Sequence, residues 1–586
     1  MTNDKICSLG YTSVKLRDKI FAPQMEKVKQ YYLDIPNDDL LYGFRKRAGK
    51  KLAGNQLYGW YGGGVFHVFG QILGALAKFS LITGDKRMAE KADMLLEGWL
   101  ECMEDDGYGL QNMPGKPNDP YYEFDKLLGG LVDNYVFLNN EKAKFAISRL
   151  TDWGIKYLNQ DGRLTPEKPT SEWYTISENI YRAYAALGDE KYLKFAKIWE
   201  YPYYWNRFLD VENFDFPPRH AYSHVNTFGG AAMAYRLFGE DRYLDIIRNA
   251  YDIITSKYTY ATGGYGPAES LFGKDGYLGE NLLHTLDDGW GHTEVSCCSW
   301  AVFKLCRYLM EFTGDARYAG WVEQALYNMI GSILPPEPGG KIMYYADYYR
   351  DGAVKHCEDG RIWAPGGTFE WPCCSGTMPH AIAEYVNLVA FKGKAGIYIS
   401  QYINSEIEVD CPDNKVMISV ETDYPEEELI RFTVKPEQEK TVTLHFRKPV
   451  FSEKPEFIMN GETLAYGEED GWLTVKRTWK YGDSFTLRIP MSLEFKSVDA
   501  KHPELGAFVY GPVVLAADVN GILEGDTSNL SLWIKALDEG DPLNFYTIQS
   551  STKLYDNRRK ILKPYYRIGK YEQYYMYSHV EQLKRI

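Results

Sequence analysis

Apolar residues recur at helical spacing through the first two thirds of the chain, to about Leu388, and this pattern predicts a long series of amphipathic helices. Similar turns interrupt the pattern. Glycine ends a helix at low cost in the left-handed conformation, and a following acidic residue favours the start of the next helix. The predicted helix–turn–helix joints are LITGDKRM at Gly84, ALGDEKYL at Gly188, LFGEDRYL at Gly239, FTGDARYA at Gly314, and a weaker copy, FLNNEKAK, at Asn139.

These turns lie 55, 49, 51 and 75 residues apart along the chain. A period near fifty residues corresponds to two helices per repeat, which predicts either a solenoid or a closed α/α toroid. The last interval is longer because of a glycine-rich, non-periodic stretch at 262–294. We expect a long loop there, and long loops in compact domains tend to be functional.

After Leu388 the pattern changes to short, β-branched segments that alternate with period two, such as VMISVETD, LIRFTVKP and KTVTLHFRKPV. Such segments, separated by turn residues, are typical of a β-sandwich. The predicted fold is therefore multidomain α + β, an (α/α)-type helical domain followed by β-sandwich domains. The predicted divisions are an N-terminal segment, 1–30, packing on the β modules, a helical domain, 31–392, a β-sandwich, 393–500, and a second β module, 501–586.

The 586-residue chain has a net charge of −14 and a pI near 5.4, which argues against a nucleic-acid binder and against docking on an anionic membrane. No apolar run reaches the roughly 18 residues of a membrane span. The N-terminus lacks a signal-peptide pattern, so a cytoplasmic location is expected. Aromatic residues make up 15% of the chain. Tyr and Trp suit sugar rings, although a tyrosine-rich core explains the composition equally well.

The nine cysteines include two adjacent pairs, Cys297-Cys298 and Cys373-Cys374. An odd count in a large chain without a secretion signal argues against a disulfide framework. Glu294 and Cys297 lie three residues apart at the start of a predicted helix, so they share one face. With Cys373 and Cys374 they supply one carboxylate and three thiolates, a full tetrahedral set for Zn²⁺. Cys298 is better explained as a core residue of that helix.

Glu269 lies in GGYGPAES, where glycines allow close backbone approach, just before the first thiol pair. A glycosidase needs a nucleophile and a general acid/base. Glu269 can be the acid, and a metal-bound thiolate can replace the second carboxylate as nucleophile. If Glu269 were not the acid, the next candidates would be Glu178 in TISENIYRAY and Asp125.

Segments along nearly the whole chain resemble glycoside hydrolase family 127, the β-L-arabinofuranosidase-like family, and its neighbour family 146. The most specific is the CC-x-G segment with its upstream Glu and Cys. The matching segments are DDLLYGFRKRAG (38–49), DPYYEFDKLLGGL (119–131), HVNT (224–227), TGGYGPAES (262–270), TEVSCC (293–298), TGDARYAGWVEQALYN (313–328), WPCCSGTMPHAIAEY (371–385), GWLTVKRTWKYGDSFTLRIPM (471–491) and FVYGPVVLA (508–516).

The resemblance implies an (α/α)6 barrel followed by β-sandwich domains, and a retaining hydrolase with a zinc-bound cysteine nucleophile. Residue by residue, Cys373 matches the nucleophile and also a zinc ligand. The other expected roles are zinc-binding thiols at Cys297 and Cys374, a zinc-binding carboxylate at Glu294, the acid/base at Glu269, and a histidine lining the sugar pocket at His224.

Two departures from the family pattern matter. The family usually has Glu-x-Cys, whereas this chain has Glu294-Val-Ser-Cys297. The extra residue either turns Glu294 away and leaves Cys298 as a competing ligand, or is absorbed at the helix N-terminus, which we favour. The family also often has a histidine where this chain has Asp125. That position would face the sugar, so we expect specificity to differ from arabinofuranose.

The sequence thus predicts a retaining exo-glycosidase that acts on a non-reducing-end sugar such as β-L-arabinofuranose, with an oligosaccharide or glycoside as substrate. One alternative is a sugar epimerase or lyase on the same toroid. A second is a non-catalytic glycan-binding protein with a structural zinc. Neither nucleic acid nor membrane is an expected partner, and the sequence leaves a homodimer open.

Overall fold

The structure is a computed structural model. It describes residues 4–57, 68–111, 120–271, 280–287, 291–357, 370–411, 414–537, 543–548 and 559–582, except positions 159, 161, 162, 168, 170, 213, 215 and 218. Among these residues, no helix combines the length and the apolar character of a membrane span.

Six helices form an inner ring, each packing on the next and the last packing on the first. In ring order they are Phe69–Thr83, Pro120–Leu138, Ile176–Leu187, Phe228–Phe238, Val295–Thr313 and Cys373–Glu384. An outer layer covers them: Phe21–Asp34, Lys86–Leu100, Glu141–Tyr157, Glu190–Ile198, Asp241–Lys257 and Tyr318–Asn328. The remaining helices are Asn37–Arg47, Pro202–Trp205, Ala221–Asn226 and Glu280–Asp287. The predicted (α/α)6 barrel is confirmed.

Burial separates the two helical layers. In the inner helix Val295–Thr313, every residue except Arg307 is buried, because this helix has neighbours on all sides. The outer helix Asp241–Lys257 instead buries one apolar stripe that includes Ile246, Ile247 and Ile254, and its other face is charged. The one-sided amphipathic pattern read from the sequence therefore belongs mainly to the outer layer.

The predicted turns are also confirmed. Gly84, Gly188, Gly239 and Gly314 each end a helix in the left-handed conformation, and Asn139 has a φ of 52° at the weaker copy. The next residue often caps the following helix, as when the Asp85 carboxylate accepts a hydrogen bond from the Arg87 N–H. Local chemistry therefore specifies where the inner and outer helices are joined.

Gly314→Ala is expected to destabilise the fold by about 1 kcal/mol, because an L-residue is strained in the left-handed conformation. A β-carbon at Gly314 would meet only Lys5 atoms at 3.7 and 3.8 Å, so strain is the sole cost. The matched control is Gly320→Ala, inside Tyr318–Asn328 with nothing within 4 Å of the added carbon. This control should be neutral or stabilising by about 0.5–1 kcal/mol. Thermal melting checks both, and equal shifts for the two variants would contradict this account.

The glycine-rich stretch at 262–294 is more structured than the loop expected there. It contains a short 3-10 turn, Pro267–Glu269, the helix Glu280–Asp287, and the two-residue strands Ser270–Leu271 and Thr293–Glu294. Leu283 and Leu286 have helical spacing, which the many glycines around them obscured. Residues 272–279 and 288–290 lie outside the described part of the chain.

Two sheets of mainly antiparallel strands form the first β region. One has the order Ile6–Ser8, Ala390–Gly393, Gly396–Ile399, Lys440–Arg447, Trp472–Trp479, Gly467–Glu469. The other has the order Glu462–Thr463, Glu456–Met459, Asp483–Arg488, Leu429–Pro436, Asn414–Glu421, Ser405–Cys411, Val14–Leu16. Inward-facing residues of the two sheets meet between them: the rings of Phe432 and Phe446 have centroids 4.9 Å apart. This is the predicted sandwich.

A third sheet follows. Its order is Leu523–Gly525, Ser578–Gln582, Leu505–Tyr510, Val513–Ala517, Ile561–Pro564, Phe545–Thr547, Ile534–Ala536, with Leu493–Ser497 paired to Leu505–Tyr510. Short paired strands occur elsewhere: Arg219–His220 with Ser270–Leu271, Thr293–Glu294 with Tyr345–Ala346, and Gln573–Tyr574 with Ala353–Val354. Two of these ribbons lie at the candidate site described below.

The N-terminal residues join the barrel to the sandwich. Ile6–Ser8 adds an edge strand beside Ala390–Gly393, and Val14–Leu16 adds one beside Ser405–Cys411. Between these strands the chain contacts the inner ring, since the Tyr11 hydroxyl donates to Glu384 at 2.9 Å. The first residues therefore depend for their structure on strands from much later in the chain.

Candidate active site

Two neighbouring inner helices bring the separated thiols together. Cys297 lies in the first turn of Val295–Thr313, while Cys373 and Cys374 begin Cys373–Glu384, which packs beside it. The sulfur of Cys297 lies 2.9 Å from that of Cys374 and 3.8 Å from that of Cys373. The packing of these two helices thus brings together cysteines that are 76 residues apart in the sequence.

Glu294 completes this cluster. It is fully buried, and one ligand atom from each of Glu294, Cys297, Cys373 and Cys374 lies within 4.8 Å of the others. Glu294 precedes the helix in an extended conformation, φ −73° and ψ 101°, within the strand paired to Tyr345–Ala346. Because this residue is not helical, the extra residue before Cys297 is accommodated. The Cys298 thiol instead donates to the carbonyl of Tyr265 at 3.8 Å.

The surroundings of the three thiols shift their pKa values in different directions. Burial and the neighbouring sulfurs raise the pKa of Cys297 well above its usual value, and burial does the same to Cys374. Burial also acts to raise the pKa of Cys373, but hydrogen bonds from Cys297, Cys374 and Tyr344 outweigh it and bring the pKa well below the usual value. Cys373 is therefore the thiol best placed to carry negative charge.

The donor set fits a tetrahedral metal ion. One carboxylate and three thiolates are ligands typical of structural and catalytic zinc, with bonds of about 2.0–2.3 Å. The separations of 3.8 Å between Cys297 and Cys373 sulfurs and 3.9 Å between Cys373 and the Glu294 oxygen are close to the edges of such a tetrahedron, whereas the 2.9 Å between Cys297 and Cys374 sulfurs is shorter. The cluster could hold a metal.

Glu269 reaches the same place from a strained turn. Ala268 and Glu269 both have positive φ, 50° and 56°, and the Ala268 N–H donates to the carbonyl of Gly291 at 2.8 Å. Non-glycine residues in this region cost about 1–3 kcal/mol each and cluster at functional sites. The Tyr345 hydroxyl donates a hydrogen bond to the Glu269 carboxylate. The turn and this bond fix the direction of the side chain.

The Tyr344 hydroxyl connects the groups at the centre of the cluster. It lies 3.3 Å from the Glu269 carboxylate, 3.3 Å from the Cys373 sulfur and 2.9 Å from Glu294. Glu269 and Cys373 therefore lie no farther apart than twice the first of these distances. This upper bound is compatible with the separation of about 5–5.5 Å in retaining glycosidases and excludes most of the range of about 6.5–9.5 Å in inverting ones.

A cavity of about 210 Å³ opens onto these groups. Its described lining residues are Tyr122, Glu172, His220, Tyr222, Glu269, Tyr344 and Cys373. His220 stands among three carboxylates: Nδ1 lies 2.8 Å from Glu172, and Nε2 lies 3.3 Å from Glu294 and 3.9 Å from Glu269. Burial opposes charge on this imidazole, but Glu294 and Glu172 outweigh it and raise the pKa of His220 well above its usual value.

The structure places His224, the histidine expected in the sugar pocket, one turn away from His220 and behind it. Its Nδ1 lies 2.9 Å from the carbonyl of His220, and its ring packs against those of Tyr174 and Tyr204, with centroids 4.3 and 4.9 Å apart. Burial lowers the pKa of His224 well below its usual value. Among the described residues that line the 210 Å³ cavity, the histidine is His220 and not His224.

Asp125 and Glu178 are also away from this cavity's described lining. Asp125 is buried and contacts Lys126 at 2.9 Å and Asn179 at 2.7 Å. Glu178 forms an ion pair with Lys304 and lines a separate cavity, about 560 Å³, inside the helical ring. Both carboxylates are therefore engaged with buried cations or amides of the barrel.

No prediction from the sequence concerned Tyr122, Glu172, His220, Tyr222 or Tyr344. The segment HAYSH contains both histidines, and only its position before the helix Ala221–Asn226 could have favoured His220. The chain has 48 tyrosines, and nothing in the sequence distinguishes these three from the rest. For Glu172 there is no local signal, because its place in the cavity depends on contacts between distant segments.

Comparison with known proteins decides the family. The model of the β-L-arabinofuranosidase GH127 catalytic domain matches residues 13–387, more than half of the chain, and that of the GH127 middle domain matches residues 396–491. The chain belongs to glycoside hydrolase family 127. It is accordingly a glycoside hydrolase of the β-L-arabinofuranosidase-like type. A search of curated proteins finds no match.

Solved structures of family 127 share the fold. A GH127 β-L-arabinofuranosidase from Geobacillus stearothermophilus T6 is 18% identical, with a TM-score of 0.73, over 97% of this chain and 100% of that one. A second GH127 β-arabinofuranosidase is also 18% identical, with a TM-score of 0.75, over 99% of this chain and 100% of that one. At this identity the likeness establishes the fold, and it extends over the β modules as well as the barrel.

Proposed function

We propose that this family 127 enzyme is a retaining exo-glycosidase in which Cys373 is the nucleophile and Glu269 the general acid/base. The observation that carries the proposal is the position of Tyr344, whose hydroxyl lies 3.3 Å from both groups. The proposed substrate is a glycoside or oligosaccharide with a non-reducing-end sugar such as β-L-arabinofuranose, as the names of the similar structures suggest.

The proposed cofactor is Zn²⁺, held by Glu294, Cys297, Cys373 and Cys374. When bound, zinc keeps the thiols deprotonated at neutral pH and makes the Cys373 sulfur a better leaving group. The protein holds the four donors on two adjacent helix starts and one short strand, so their positions are set by the barrel. The Tyr344 hydroxyl lies 2.9 Å from a Glu294 oxygen and so limits the orientations of this carboxylate.

In the first step the Cys373 thiolate attacks the anomeric carbon, and a C–S bond forms as the glycosidic C–O bond breaks. Glu269 donates its proton to the departing oxygen. In the second step Glu269 takes a proton from water, the water oxygen attacks the anomeric carbon, and the C–S bond breaks. The two inversions retain the anomeric configuration, and both groups return to their starting states.

The size of the cavity supports exo action. Its volume of about 210 Å³ is smaller than the roughly 300–1,000 Å³ typical of pockets for drug-sized ligands. One sugar ring would fill it. The polar edges of Tyr122 and Tyr222 and the imidazole of His220 supply partners for ring hydroxyls.

A panel of 4-nitrophenyl furanosides and pyranosides, with and without a chelator, tests the function. We expect release of nitrophenol from at least one glycoside, loss of that activity with the chelator, and its recovery with zinc. Conversion of free sugars without hydrolysis would indicate an epimerase, and binding without turnover would indicate a glycan-binding protein. Either result would overturn the proposal.

Metal content separates Glu294 from Cys298 as the fourth ligand. We expect about one zinc per chain in the wild-type protein, because the donor set suits the tetrahedral preference of zinc. Glu294→Gln should lower zinc occupancy, and the matched variant Cys298→Ser should keep it, since the Cys298 thiol contacts Tyr265. Elemental analysis of protein purified without chelator measures this. Full zinc in Glu294→Gln together with loss in Cys298→Ser would reverse the assignment.

A further inference from the structure

Glu172 is a second acidic residue that lines the candidate pocket, in addition to Glu269, and it does not belong to the cysteine cluster. It precedes the 3-10 turn Trp173–Thr175 that leads into the inner helix Ile176–Leu187. It lines the same cavity as Cys373 and Glu269. The proposed mechanism uses neither its charge nor its position.

His220 stands between Glu172 and the reacting groups. Glu172 contacts Nδ1 of the imidazole, whereas Glu269 and Glu294 face Nε2, the other ring nitrogen. The width of a ring therefore separates Glu172 from Glu269. At this separation Glu172 is too far for bond breaking at the anomeric carbon, yet it can meet hydroxyls across a sugar ring.

Two buried basic side chains, His220 and Lys126, act on the Glu172 carboxyl. Burial acts to raise the pKa of this carboxyl, but His220 and Lys126 outweigh it and lower the pKa below its usual value. Lys126 is itself buried beneath the pocket, with its ammonium 4.8 Å from the ring centre of Tyr122 and 5.6 Å from that of Tyr222. These basic groups hold Glu172 at the edge of the cavity that it lines.

We propose that Glu172 determines specificity by accepting hydrogen bonds from ring hydroxyls of the bound sugar, and that it selects neutral sugars against those bearing a carboxylate, sulfate or phosphate. This inference rests on the proposed function and names the substrate class of that site. Charge-assisted hydrogen bonds to a carboxylate are about twice as strong as neutral ones. A site built to bond a hydroxyl strongly rejects the analogue lacking it.

The acidic residues that line the pocket disfavour binding of anionic sugars. Among the described lining residues are two carboxylic acids, Glu172 and Glu269, and neither a lysine nor an arginine that could pair with an anionic sugar. Like charges in a buried site repel strongly because water does not screen them. A uronic acid would place its carboxylate beside Glu172 and Glu269.

The test compares Glu172→Gln with Glu167→Gln, a variant of the same segment outside the described lining of the pocket. The substrates are the best 4-nitrophenyl glycoside of the wild-type enzyme, its ring-deoxy analogues and the uronide of the same sugar. For the wild type we expect kcat/KM to fall about 10- to 100-fold on removal of the hydroxyl that Glu172 binds. In Glu172→Gln that ratio should shrink to a few-fold, and discrimination against the uronide should weaken. Glu167→Gln should keep both ratios.

A merely structural role of Glu172 would lower kcat/KM for parent and deoxy substrates equally, leaving every ratio unchanged, and this outcome would overturn the inference. Inhibition constants for the free sugar and its uronic acid give the same comparison without turnover. If the wild type hydrolyses no glycoside, the proposed function fails. If it hydrolyses one with ratios that Glu172→Gln does not alter, only the role of Glu172 fails.

Discussion

Cys373→Ser is expected to lower kcat/KM by about 10⁴-fold or more, the scale on which loss of a catalytic nucleophile acts. An alcohol is far less acidic than a thiol, so serine supplies almost no nucleophile at neutral pH. The Cys373 sulfur lies 3.3 Å from the Tyr344 hydroxyl and lines the cavity, so it has access to a bound sugar. Steady-state hydrolysis of an aryl glycoside measures the loss.

Cys374→Ser is the matched control, because it removes a neighbouring thiol that is fully buried and outside the described cavity lining. Both variants should weaken zinc binding. Excess zinc should restore part of the activity of Cys374→Ser and none of that of Cys373→Ser. Restoration of Cys373→Ser by zinc would mean that this residue is only a ligand, and another nucleophile would be required.

Glu269→Gln is expected to reduce hydrolysis of substrates with poor leaving groups by about 10²- to 10⁴-fold, the usual contribution of general acid–base catalysis. Formation of the glycosyl-enzyme should suffer much less with an activated phenol, because that phenolate departs without protonation. Kinetics across a series of leaving groups measures the difference. Glu337→Gln, at a surface ion pair with Lys570, is the control and should behave as the wild type does.

Azide provides an independent check of Glu269. It should accelerate the Glu269→Gln variant, because it attacks the anomeric carbon without needing a base. It should not accelerate Cys373→Ser, in which the first step is blocked. Equal losses for good and poor leaving groups, with no response to azide, would remove Glu269 from acid/base catalysis.

The turns of the barrel could be predicted from sequence because their information is local. A glycine at each helix end and a capping residue after it are sufficient, as at Gly188 and Asp189. The thiol cluster could be anticipated for another reason: adjacent cysteines are rare enough to stand out. Ring closure itself depends on contacts between helices such as Phe69–Thr83 and Cys373–Glu384, about 300 residues apart in sequence, and came only from the family resemblance.

The pocket lining could not be predicted in the same way. His220 and His224 lie one helical turn apart, and only the packing of Tyr174 and Tyr204 decides which of them is enclosed. Asp125 and Glu178 have the residue types expected of sugar ligands or acids. Their buried partners, Lys126 and Lys304, come from their own helix and from a distant one respectively, and these contacts turn both carboxylates away from the cavity.

The edge strands at the N-terminus also constrain how the protein is made. During synthesis, Val14–Leu16 cannot form its strand pairing until Ser405–Cys411 has been made. At about 5–20 residues per second, this interval of synthesis lasts roughly 20–80 s. Until then these strands expose unpaired backbone groups, and Phe21–Asp34 likewise lacks Cys373–Glu384, on which it packs. The last inner helix therefore adds Cys373 and Cys374 to the site when it closes the ring, so a partly synthesised chain has no assembled site.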